Sequence, residues 1–254
     1  MRTPNLGVLF AAAVVAALSA PVAAQTAPVK ILGARVGLPP GRFVAGDVRD
    51  DTGAALHIAK NNIWAPVYVD LEIARETRRQ AAIVIESKDA DDLLTTSWVP
   101  LPNLSALPPG TRIQAVELPR LPYVRPSGSG RGDEVVVAIR EPDRGDPANW
   151  RNLAEPARLR YLGTRDVSRY VVLSLGTKLP GFDLPSKEKT DGADVNLNIG
   201  RALRDGRIET AAITEVAMMP DRWFGYDAAD LVVLTTGATD ANFLTSLFTD
   251  PAYR

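Results

Sequence analysis

The stretch Met218–Gly237, MMPDRWFGYDAADLVVLTTG, decides how the second half of this chain is read. Turn-forming and aromatic residues feed an unbroken apolar run, Leu231-Val232-Val233-Leu234, which stops at Thr235-Thr236-Gly237. A short run apolar at every position does not suit a sheet with one wet face. It predicts a strand buried on both faces, as in a parallel sheet covered by helices. Neighbouring segments agree. Tyr170–Gly176 reads as a strand ending at Gly, and Ile208–Val216 as another. Between them Asp194 can cap a helix to Asp205, with Val195, Ile199, Ala202 and Leu203 on one face and Gly206 as its stop. Thr239 or Asp240 opens a last helix whose apolar face is Phe243, Leu244, Leu247 and Phe248, ended before Pro251. The order β-α-β-β-α over residues 166–254 predicts a partial α/β domain of the doubly wound kind.

Upstream the period changes to two. In Trp64–Ile73 the apolar residues Val67, Val69, Leu71 and Ile73 alternate with Tyr68, Asp70 and Glu72, one face in and one out. Val29–Leu32, Ala81–Glu86, Thr95–Leu101, Thr111–Leu118 and Glu134–Arg140 read as further strands. Between them lie turn-rich stretches such as Pro108-Pro109-Gly110 and the Ser/Gly run at 127–132. Short strands with turns between them and no helix predict an antiparallel β-sandwich over residues 25–165, of immunoglobulin-like or fibronectin-like type. The polar, Pro- and Asp-rich segment 141–157 reads as a junction with one helical turn near Ala148–Leu153, and Arg158–Leu162 as a last strand of the sandwich or a linker strand.

Composition bounds the function. Apolar residues at 46% and charged ones at 23% are those of a globular chain. A net charge of −1 leaves no basic surplus for nucleic acid. With no cysteine and one histidine, thiolate chemistry, disulfides and multi-histidine zinc sites are all excluded. Residues 1–24 carry Arg2, an uncharged apolar run from Leu6 to Leu18, the breaker Pro21 and the small residues Val22-Ala23-Ala24. That is the pattern of a secretory signal peptide cut after Ala24, and it predicts export to the periplasm or cell envelope. The run is short for a bilayer span, which needs about 20 residues, and no other segment is long and apolar enough to make one.

Tyr170–Gly176, Ile208–Val216 and Tyr226–Gly237 together resemble the start of a class I glutamine amidotransferase-like (flavodoxin-like) domain, whose third strand commonly reads Tyr-Asp-x-x-Asp before apolar residues and a Gly-containing turn. The arrangement is similar to exported or membrane-anchored bacterial proteins, many of them planctomycete, that place a β-sandwich before such a domain. The resemblance implies scaffold roles for Asp230 and Gly237. It supplies no catalytic residue, because the family's cysteine, histidine and glutamate fall after the next strand. A sheet of three strands and two helices would keep a bare apolar edge. The expectation is therefore an N-terminal part of a longer protein, with a three-strand sheet whose edge the sandwich covers as the alternative.

Candidate sites are few. Asp89, Asp91 and Asp92 could ligate calcium, but they lack the Gly and distal Glu of an EF-hand loop and read as a solvated turn. Arg131-Gly132-Asp133 reads as a chance match to an adhesion motif in a Ser/Gly loop. His57 has no identifiable partner and reads as structural or exposed. Thr235-Thr236-Gly237 before a helix could hold an anion, though no phosphate-loop pattern accompanies it. Trp223, Phe224 and Tyr226 read as packing their loop onto the sheet edge or the sandwich, with an exposed recognition patch as the alternative. No catalytic, cofactor-binding or metal residue is assigned, no cofactor is expected, and the partner is an envelope protein or glycan. The sequence reads best as a non-enzymatic envelope scaffold or interaction protein. An enzyme whose catalytic strand lies beyond Arg254, or a glycan- or protein-binding module acting through sandwich loops, are the alternatives.

Overall fold

The computed structural model describes residues 27–41, 57–76, 79–88, 93–127, 134–159, 164–165, 167–177, 208–236 and 241–249. Within them the chain is mostly antiparallel β-sheet with one α-helix. One antiparallel sheet joins β1 (Val29–Val36), β3 (Ala65–Ile73) and β6 (Arg112–Ile113), and β7 (Tyr123–Val124) pairs with the other end of β3. A second joins β10 (Ala157–Leu159), β8 (Val135–Glu141), β4 (Ala82–Lys88) and β5 (Leu94–Pro100), with β9 (Arg151–Asn152) on β8.

The alternation of β3 explains why these sheets meet. Val67, Val69, Leu71 and Ile73 all point one way and are fully buried. They merge with Ile83 and Ile85 of β4 and Val135, Val137 and Ile139 of β8 into one apolar cluster. Each such side chain contributes about 1.5–3 kcal/mol by leaving water. On the opposite face Asp70 and Glu72 are partly exposed, as alternation implies, but Tyr68 is only 1% exposed. Strand ends move by a residue or two from the sequence reading, and β1 runs on to Val36.

Thr111–Leu118 is not one strand. Only Arg112 and Ile113 pair with β3, and Ala115–Glu117 forms a 3-10 turn. The alternation there is broken by local side-chain bonding: Gln114 N–H donates to Glu117 Oε2 at 2.7 Å and Ala115 N–H to Asp70 Oδ1 at 3.0 Å. The turn expected near Ala148–Leu153 lies earlier, at Pro147–Asn149, where Asp146 caps it and Pro147 opens it.

The outer face of the second sheet carries a small core of its own. Val84 and Ala138, neighbours across β4 and β8, are fully buried there. Trp98 of β5 lies opposite Val84 in register and meets Trp150 edge-on at 5.3 Å. Arg140 holds the loop over this face. Its Nη1 donates to Glu86 Oε1 at 2.6 Å and to Pro147 O at 2.9 Å, Nη2 to Glu86 Oε2 at 3.0 Å, and Nε to Asn152 Oδ1 at 2.9 Å. A buried guanidinium is tolerable only when its donors are matched in this way.

A three-stranded parallel sheet follows, in the order β13 (Ile208–Ile213), β12 (Tyr170–Leu175), β14 (Leu231–Leu234). The first strand in sequence is thus the central one, buried from Val171 to Leu175. The helix α1 (Ala241–Thr249) buries Phe243 and half-buries Leu244 and Leu247, but Phe248 is 62% exposed and leaves the expected face. The helix expected from Asp194 to Asp205 lies outside the described residues.

The reading of β14 as buried on both faces is overturned. Leu231, Val232 and Leu234 are 45%, 44% and 36% exposed. Among the described residues β14 has one neighbour, β12, so it is an edge strand with neither face closed. The opposite edge is covered. Gly41 N–H donates to Thr210 O at 2.7 Å and Ala212 N–H to Pro39 O at 3.1 Å, which adds the segment after β1 to β13.

Segments far upstream complete this second core. Leu38 and Ile58 pack with Val171, Leu173, Ala211 and Ile213. β2 (Ala59–Lys60) pairs in parallel with β11 (Thr164–Arg165). Gly37 makes the crossing possible: its φ is +108°, and a Cβ there would collide with the Ile58 carbonyl.

Two outcomes are expected. Glu86→Ala, which strands the Arg140 guanidinium, should cost about 3 kcal/mol in urea unfolding, whereas Glu86→Leu/Arg140→Met should cost much less. Equal losses would show that the pair is not electrostatically matched. A fragment of residues 166–254 lacks Leu38, Ile58 and the cover on β13, and should aggregate; a monomeric, cooperatively melting fragment would overturn that.

Candidate functional site

The parallel sheet is joined to the antiparallel part through a polar and aromatic seam. Asp230 stands immediately before β14. Its Oδ2 accepts from Val171 N–H at 2.7 Å and from Lys60 Nζ at 2.6 Å. Lys60 is 4% exposed, so its ammonium depends on that carboxylate. Ligand sites of parallel sheets lie at the carboxyl ends of strands. Asp230 and Val171 lie at the amino ends, so this pair serves as a clamp between the strand and Lys60.

The turns before β14 supply the rest of the seam. Tyr68 donates from its hydroxyl to Met218 O at 2.8 Å. Tyr123 donates to Asp221 Oδ1 at 2.7 Å and accepts from Arg222 N–H at 3.2 Å. Burial first, then the hydrogen bond to Asp221 and its negative charge, push the Tyr123 phenol well above its ordinary value. Phe224 meets Tyr123 at 4.9 Å and Trp64 at 5.6 Å, joining a cluster with Tyr68, Ala115 and Leu121. Gly225 is required beneath it, since a Cβ would come within 2.5 Å of Pro220 Cβ and 2.7 Å of Tyr123 Cε1.

Of the aromatic trio read from the sequence, Phe224 and Tyr226 pack inward, Tyr226 donating to Pro220 O at 3.0 Å. Trp223 does not: it is 78% exposed, touching Phe224 edge-on at 5.7 Å. His57 is buried, with Nδ1 3.0 Å from Gly37 O and its ring edge-on to Tyr68 at 5.2 Å, a structural place within the seam. Thr235 and Thr236 stand at the carboxyl end of β14, while Gly237–Asp240 lie outside the described residues, as do Asp89–Asp92 and Arg131-Gly132-Asp133.

Two surface depressions offer polar groups. A cleft of about 470 Å³ beside the seam is edged by the ion-paired Arg35 and Asp70, with Arg112, Gln114 and Glu215 around it. A depression of about 670 Å³ lies in the loop 141–151 of the antiparallel part. It was invisible to sequence reading because its residues looked like an ordinary junction. No group of three or more His, Cys, Asp or Glu side chains among the described residues could hold a metal ion. No described helix is long and apolar enough to cross a membrane. Neither protein-family models nor curated proteins give a match to this chain.

The Tyr123 bond sets a pH dependence. The unfolded chain releases the phenol proton above about pH 10, while the folded chain keeps it. Stability therefore falls as pH rises from there. Tyr123→Phe should cost about 2 kcal/mol at neutral pH and flatten that alkaline loss; an unchanged pH profile in urea unfolding would refute the assignment.

Proposed function

We propose that this chain is an exported cell-envelope protein of scaffold or interaction type, its first 24 residues a signal peptide removed after Ala24. The two antiparallel sheets form an immunoglobulin/fibronectin-like sandwich. The parallel sheet is a partial amidotransferase-like domain kept as a scaffold. Its strand order, with the first strand central, is how flavodoxin-like sheets begin.

The seam is the observation that carries this reading. Lys60, Asp230, Tyr68, Tyr123 and Asp221 all spend their polar atoms on joining the two parts. A joint of that kind fixes orientation, which suits a spacer that presents loops to a partner. Expression of the full gene product in a bacterial host, followed by fractionation and N-terminal sequencing, should yield periplasmic protein beginning at Gln25. Full-length protein held in the cytoplasm would refute export.

A second reading is favoured by β14. An uncharged strand exposed on both faces is where a further parallel strand would add. In the amidotransferase-like family that next strand leads to the nucleophile. On this reading the chain is an N-terminal part of an envelope enzyme. Coding sequence downstream of Arg254 decides it: an apolar strand followed by Cys or Ser on a sharp turn supports the enzyme, and a continuation without one refutes it.

A further inference from the structure

The turn Trp223–Tyr226 presents a surface that the seam beneath it does not use. Trp223 is 78% exposed and Trp64 41% exposed, and both indoles stand against the Phe224 ring, at 5.7 and 5.6 Å. Two arginines border them. The pairing of Pro66 with Tyr123 and Ala65 with Val124, carried one step further, sets Arg125 opposite Trp64 on the same face of the two strands. Arg125 is exposed; its Nε donates to Asn62 O at 2.7 Å, and its amino groups have no hydrogen-bond partner among the described residues. Arg222 immediately precedes Trp223. Its side chain is half exposed, and its Nε lies 3.9 Å from Asp221 Oδ2, beyond hydrogen-bond length.

The patch is fixed from below. Arg222 N–H donates to the Tyr123 hydroxyl at 3.2 Å, Gly225 N–H to Arg222 O at 2.9 Å and the Tyr226 hydroxyl to Pro220 O at 3.0 Å. Asp221 is spent on Tyr123, while Asp227, just past the turn, is exposed and opposes the two arginines in part. Area decides what such a surface can hold. The exposed parts of the two indoles amount to roughly 200–300 Å² of the 150–250 Å² that each aromatic side chain can bury. A stable protein interface takes about 800 Å² from each partner. A bilayer interface needs no matching shape, and it accepts single indoles together with cationic side chains.

We propose that the Trp64–Trp223 patch docks this protein onto the surface of an anionic lipid bilayer. Indole rings settle at headgroup level, where the apolar ring meets acyl chains and the N–H stays wet. Arg125 and Arg222 then stand among the lipid phosphates, whose oxygens accept from a guanidinium fork. The whole chain carries a net charge of −1 and has no general attraction to such a surface, so binding depends on this face being turned toward it. Naming the outer face of the inner membrane as the place rests on the export proposed above; the indole and guanidinium chemistry does not.

The test is quenching of tryptophan fluorescence in the purified full chain by vesicles of equimolar phosphatidylglycerol and acyl-brominated phosphatidylcholine. Residues 1–24 contain no tryptophan, so a leader held in the bilayer is silent in this measurement. Quenching is expected, with far less on brominated phosphatidylcholine alone. It should disappear in Trp64→Phe/Trp223→Phe and persist in Trp98→Phe. Arg125→Gln and Arg222→Gln should each raise the lipid concentration for half-maximal quenching about fivefold, the worth of one charge at an anionic surface. Asp227→Asn should lower it, and urea unfolding of the Arg222→Gln protein should be unchanged. No quenching on the anionic vesicles overturns the proposal. So does equal quenching on the neutral ones, or quenching that is lost in Trp98→Phe. A dimer in solution that Trp223→Arg dissociates, with no quenching by vesicles, would give the indoles to a second copy instead. Quenching in a protein that stays in the cytoplasm refutes export alone; an exported protein without it refutes the membrane site alone.

Discussion

One carboxylate holds the halves of this molecule in register. Asp230 accepts from the backbone of β12 and from the buried ammonium of Lys60, and it stands directly before β14. A lysine 4% exposed has little water around its ammonium, and the Asp230 carboxylate takes the place of that water. The position of β14 beside β12, the course of the chain through Ile58 and Lys60, and the closure of the second core by Leu38 and Ile58 are thus bound to one another. Around this clamp the tyrosines Tyr68 and Tyr123 place apolar rings against the same seam and polar tips on Met218 and Asp221.

The same economy appears on the outer face of the second sheet. A strand face that alternation assigns to water instead buries Val84 and Ala138, because Trp98, Trp150 and the Arg140–Glu86 pair fold a loop over it. Burial of that pair contributes uniqueness of the loop's position more than net stability, since the desolvation of two charges offsets much of their attraction.

Much of the antiparallel part was legible. The alternation in β3 and the apolar runs of β4 and β8 fall on the core as their periods require. Thr111–Leu118 was misread because its alternating pattern also fits a 3-10 turn once Glu117 and Asp70 capture the backbone. In the parallel sheet, YVVLSL is buried as its composition demands, yet LVVL, equally apolar, is exposed. Apolarity states what a strand would gain from burial; the number of its neighbours settles whether it is buried. Of the surface features, the exposure of Trp223 and the depression around Asp143, Asp146 and Trp150 have no linear signature, since each depends on which chain segment lies across from it.

The sequence by itself determined most of the longer strands, Thr111–Leu118 excepted, the change from period two to continuous apolar runs, and a composition with no cysteine and a single histidine. These are properties of composition and of short windows, where backbone geometry alone sets the side-chain period. Only the tertiary structure decided that Lys60 meets Asp230 across 170 positions, that Leu38 and Ile58 finish the second core, and that β14 lies at an open edge. Those contacts join residues remote in the chain, and they follow from how buried charges and apolar faces are satisfied together rather than from any local preference.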